Sequence, residues 1–110
     1  MEQIERILCA ACWYEELELA KPEALENRGI LPYNVDKGIV FSGWRHANCI
    51  YQMVAITGLP QHKAGKEIQG FLTSHNRFVD REEGANIALA AKQVTKLKYS
   101  SKLLYSEDLY

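Results

Sequence analysis

An α+β fold, a small antiparallel sheet packed with two or three helices in a single domain, is predicted by three features of the sequence. Strand-length runs at "IERILCAACWYEE" and "GIVFSGWRH" are separated by a long mixed-polarity connection, which suits antiparallel pairing. The segment "HANCIYQMVAITGLP" carries helical periodicity. A second helix is announced by "DREEGANIALAAKQV", where Asp80 is followed three residues later by Glu83, the spacing of a capping box. At 110 residues the chain suits one modest core.

The first run is continuously apolar and bounded by charge at both ends, so it is predicted as a largely buried strand. After it, "LELAKPEALENRGILPYNVDKG" contains two prolines and two glycines and reads as a surface connection with a helical turn in "KPEALEN". "GIVFSGWRH" returns to β-branched and aromatic residues, a second strand. In the first helix Cys49, Met53 and Ile56 are spaced by four and three, with Ile50, Val54 and Thr57 one position on, and Gly58 and Pro60 stop it. "IQGFLTSHNRFVD" reads as a hairpin turning at Ser74, His75 and Asn76, where asparagine tolerates a left-handed conformation. The second helix is predicted from about residue 81 to 95. "KLKYSSKLLYSEDLY" reads as a short helix or a docking arm.

Composition narrows the function. Hydrophobic residues make up 47% and charged residues 25%, as in an ordinary globular protein. With 13 basic against 14 acidic residues the formal charge is −1, which argues against coating DNA or RNA, although local clusters suit a small anion. No stretch approaches the roughly 20 apolar residues that span a bilayer, and "MEQIERIL" lacks the pattern of a secretory signal. Three cysteines, an odd number, suit reduced thiols. An intracellular protein with no membrane partner is expected.

Cys9 and Cys12 with His46 and Cys49 formally resemble a zinc pattern. Residues three apart on a strand point to opposite faces, so buried thiols are expected and no metal. "SGWRHANC" brings a stacking-capable Trp44, the donor fork of Arg45, His46 and Asn48 to a strand-to-helix turn, a plausible phosphate seat. The alternative is a core tryptophan with a solvated arginine and a capping histidine. "NRFVDREEG" raises a sharper question, because Arg81 opens a helix, where a cation is disfavoured by roughly 0.3–1 kcal/mol. Either Arg77 and Arg81 converge with the helix amides on a bound anion, or they form an ion-pair lattice with Asp80, Glu82 and Glu83. No nucleophile elbow, phosphate-cradling glycine loop or zinc-protease motif is present, and a Cys49–His46 pair would need a third orienting group, so no catalytic residue is assigned.

The combination of Gly43-Trp44-Arg45-His46-Ala47-Asn48-Cys49, Gln69-Gly70-Phe71-Leu72-Thr73-Ser74 and Asn76-Arg77-Phe78-Val79-Asp80-Arg81-Glu82-Glu83, with Ser106-Glu107-Asp108-Leu109-Tyr110 at the end, resembles a family of small phage proteins that includes the Thoeris anti-defence sponges. The similarity covers roughly residues 5 to 95 and the closing motif. It implies a non-enzymatic sink, without cofactor, in the cytoplasm of the bacterial host. Its ligand would be a small nucleotide signal, glycocyclic ADP-ribose, with cyclic oligonucleotides held in separate sites of some members. It also implies a homo-oligomer, a dimer or a hexamer built from dimers, with pockets at subunit interfaces. Arg77 and Arg81 match the family's arginines four apart and Glu82 the acidic residue after them. Phe71, Phe78 and Tyr51 are the candidates for stacking on the base, Ile50 standing where related sequences carry phenylalanine. Arg45, His46, Asn48 and Asn76 complete the expected contacts. Two other readings stay open: an enzyme cleaving such signals with His46 or His75 as acid–base, and an interaction module for a host protein.

Overall fold

A computed structural model describes residues 4–19 and 31–110, and the helical turn expected in "KPEALEN" lies outside the described residues. The strands are β1 (Ile7–Tyr14), β2 (Ile39–Gly43), β3 (Glu67–Thr73) and β4 (Phe78–Asp80). The helices are α1 (His46–Thr57), α2 (Arg81–Ala90) and the short α3 (Ser106–Leu109). All pairings are antiparallel, in the order β2-β1-β3-β4. The predicted α+β class is therefore what forms.

β1 is unbroken in apolar residues because it is interior to the sheet and covered on both faces. Ala10, Cys12 and Tyr14 enter the core beneath the helices, with Cys49, Met53, Phe71, Val79 and Leu104. Ala11 and Trp13 face a second cluster, closed by Leu31, Val35 and Phe78. Phe78 and Val79 thus enter opposite cores, as strand alternation requires. Cys12 and Cys49 meet between β1 and α1, and their mutual hydrogen bond together with burial pushes the Cys12 thiol far above its ordinary pKa. Among the described residues no group of three or more His, Cys, Asp or Glu side chains is placed to hold a metal ion.

The hairpin forms as predicted. Leu72 pairs with Phe78, and Asn76 takes the left-handed conformation at φ 58°. Gly70 is required by close approach, since a Cβ there would lie 2.0 Å from the Val79 oxygen on β4. Side-chain amides finish what the strands leave open. Asn34 donates to the Phe78 oxygen at 2.7 Å and accepts from its N–H at 2.8 Å. Gln93 does the same for Ile7, at 2.9 and 2.7 Å, next to a register shift in β1.

Two helical expectations need correction. α1 buries His46, Cys49 and Met53, whereas Ile56 is 71% exposed and Val54 lies outside the buried set. The buried stripe is narrower than the apolar one, with Ile56 and Val54 at its two margins, and His46, polar by type, belongs to it. α2 ends at Ala90, not near 95. Lys92 adopts φ 59°, and the Gln93 N–H reaches back to the Ala88 oxygen while that of Lys92 reaches Leu89. That is a left-handed helix stop made without glycine, so its usual residue signal is missing.

Candidate functional site

The N-termini of α1 and α2 and the C-terminal segment meet around two arginines. Arg81, the first residue of α2, is half-buried. Its Nη1 donates to the Leu104 oxygen at 2.8 Å and its Nη2 to Gln69 Oε1 at 2.7 Å, while its guanidinium lies 4.4 Å from the centre of the Tyr105 ring. The Leu104 N–H returns a bond to the Arg81 oxygen at 3.0 Å. An arginine therefore opens this helix because its side chain fastens the C-terminal segment to β3. Asp80 supplies the cap, accepting from the Glu83 N–H at 2.8 Å, and Glu82 and Glu83 oppose the dipole's positive end.

His46 is buried between the two helix starts. Its Nε2 is 2.8 Å from the Gly70 oxygen, which only accepts, so Nε2 carries the proton and Nδ1 is left to accept from Arg81 Nη2 at 3.4 Å. Burial, and then the Arg81 charge, lower the His46 pKa against a hydrogen bond that favours protonation. The unfolded chain binds a proton near the ordinary histidine value of about 6.5, whereas folded His46 binds it only at lower pH. Stability present above about pH 6.5 is therefore lost as pH falls, by at most about 1.4 kcal/mol per pH unit for one proton. Urea midpoints of the wild type and His46→Gln between pH 7.5 and 5.5 should show this as a steeper loss in the wild type. His62 and His75 remain in both proteins and cancel in the comparison.

Arg45, the N-cap residue of α1, lies on the exposed side of this cluster. Its Nη2 donates to the Tyr110 main-chain oxygen at 2.6 Å, and its Nη1 lies 3.4 Å from Ser106 Oγ and 4.0 Å from Glu107 Oε1. The guanidinium is 4.6 Å from the Trp44 ring centre and 5.4 Å from that of Tyr110. The two rings are themselves stacked, 6.1 Å apart at 24°. Trp44 is 62% exposed, not the core tryptophan that one reading of "SGWRHANC" expected. Nearby, Tyr99 and Tyr105 meet edge to face, and with Glu107 they line a groove of about 320 Å³. That volume is at the small end of ligand pockets.

Other predicted site residues lie elsewhere. Arg77 makes a two-pronged pair with Glu5, at 2.9 Å for each contact, and a 3.0 Å contact with Glu83. The bond to Arg77, more than any other group, lowers the Glu5 pKa, and in return Glu5 raises that of Arg77. Among the described residues Arg77 and Arg81 share no hydrogen-bond partner: the first turns to Glu5 and Glu83, the second to Leu104 and Gln69. Phe71 is 0% exposed and Phe78 6%, both core residues, so neither presents a face to a base from outside. Tyr51 is exposed on α1 and makes none of the cluster's contacts. Asn48 accepts from the Arg45 N–H at 2.9 Å as part of the α1 cap, Asn76 is a turn residue, and Glu82 is exposed. Tyr99, Tyr105 and Tyr110 belong to the cluster as well, although the sequence marks them only as part of a docking arm and, for Tyr110, of the closing motif. Their signal was available as three tyrosines spaced six and five apart in a segment that also supplies the closing motif.

These features define a small α+β protein whose aromatic and arginine side chains gather where two helices begin. The family model described as Phage T4 y16D protein matches residues 6–110, and the chain belongs to that family. It is a phage protein. Neither curated proteins nor solved structures gave a match. Among the described residues no helix is long and apolar enough to cross a membrane.

Proposed function

We propose that this phage protein captures a small nucleotide signal of the host's defence without cleaving it, with glycocyclic ADP-ribose as the leading ligand and cyclic oligonucleotides as further ones. The observation that carries the reading is Arg45 beside the Trp44 and Tyr110 rings at an exposed edge, next to the groove of Tyr99 and Tyr105. A guanidinium fork suits phosphate oxygens and an exposed indole suits a base. The ligand class comes from the resemblance of the sequence motifs to those of the anti-defence sponges. This reading moves the anion contact from Arg77 and Arg81 to Arg45: Arg77 is paired with two carboxylates and Arg81 is half-buried, whereas Arg45, although also bonded within the protomer, lies beside the exposed Trp44. Association of copies is supported by α1, whose exposed positions, Tyr51 and Ile56 included, carry no charged side chain.

Calorimetry with glycocyclic ADP-ribose and cyclic oligonucleotides tests the proposal, with the bound nucleotide recovered after heating and checked by mass spectrometry. Intact ligand and an affinity lowered roughly ten- to a hundredfold by Arg45→Gln are expected, the worth of one charge-assisted contact. Release of an altered nucleotide would favour an enzyme using His46 or His75. A captured host protein with no small ligand bound would favour an interaction module.

A further inference from the structure

We infer that Tyr110 is a guard on the Trp44–Arg45 seat, an intramolecular stand-in that a ligand with a planar ring and an anionic group must displace. The inference rests on the proposed function and adds regulation of the same site. Both halves of such a ligand are imitated by one residue. The Tyr110 ring lies against Trp44, the face that a base would take, and its main-chain oxygen holds the Arg45 Nη2 that a phosphate oxygen would take. The guanidinium completes the arrangement at 4.6 and 5.4 Å from the two ring centres.

The guard can move without unfolding what precedes it. Leu104, Ser106 and Asp108 are buried, and the Asp108 carboxylate accepts from the N–H groups of Lys98 and Tyr105 at 2.9 and 3.0 Å. Those bonds hold the segment independently of the Tyr110 ring. Tyr110 itself is 47% exposed, and its ring contacts are one exposed stack and one exposed cation–π contact. The ring contacts contribute a factor of about ten to keeping the seat closed, and this is the share that Tyr110→Ala removes, since the main-chain oxygen that Arg45 holds stays in that variant.

Calorimetric titration of glycocyclic ADP-ribose into the wild type, Tyr110→Ala and Trp44→Ala should give affinity about tenfold tighter for Tyr110→Ala and lost for Trp44→Ala. A parallel readout without ligand is the Trp44 indole resonance in ¹⁵N-labelled protein, assigned with Trp44→Phe, which should shift in Tyr110→Ala as the stacked ring is removed. An unshifted indole resonance, or unchanged or weaker binding by Tyr110→Ala beside a binding wild type, would overturn the guard and leave the function standing. No binding by the wild type or Tyr110→Ala would overturn the function reading and the guard with it.

Discussion

Arg81→Gln is expected to lose about 3 kcal/mol of stability and to lower the melting temperature by about 10–15 °C. The substitution removes charge-assisted bonds to the Leu104 oxygen and Gln69, together with the stack on Tyr105, in a half-buried place where water replaces them poorly. Limited proteolysis should then cut the segment beyond Leu103 in the variant and spare it in the wild type. Arg77→Gln provides the contrast. Its partner carboxylates are 17% and 48% exposed, so loss of that partly exposed pair should cost about 1–2 kcal/mol, less than the loss of Arg81. If Arg81→Gln melts with the wild type, the guanidinium is not a structural fastener, and its assignment as a direct anion contact returns.

Gly70→Ala should be the most damaging small substitution in the sheet, by about 4 kcal/mol. The added methyl would stand 2.0 Å from the Val79 oxygen and 2.9 Å from the Phe78 ring. An oxygen in a strand pairing cannot withdraw by itself, so β3 and β4 must separate. The same shift would move the Gly70 oxygen from His46 and loosen the support behind Arg81. Thermal denaturation followed by circular dichroism is the measurement. A cooperative melt within about 5 °C of the wild type would show that the hairpin yields more easily than this contact implies.

Local signals in the sequence were sufficient wherever one short stretch decides the outcome. The apolar run of β1, the Asn76 turn, the Asp80 cap and the Gly58 stop of α1 each depend on neighbouring residues, and each forms. The end of α2 escaped because Lys92 adopts a conformation that glycine usually marks. The site was legible in part. Arg45 and Trp44 were visible as a strand-to-helix turn, but their contact with Tyr110 spans more than sixty residues, and no periodicity encodes it. Arg77 and Arg81 looked like one constellation because they are four apart. Glu5, far away in sequence, claims the first, and Leu104 and Gln69 claim the second.

The amides of Asn34 and Gln52 have a bearing on assembly. Asn34 covers Phe78 on β4, and Gln52 Nε2 donates to the Ser42 oxygen of β2 at 2.7 Å, so both outer strands of the sheet carry a side-chain partner on their main chain. β4 is also only three residues long. At the β4 border a neighbouring molecule finds little ladder to extend, which discourages growth of the sheet from one copy into the next on that side. Any association of copies is therefore expected to use side-chain surfaces in place of the β4 border.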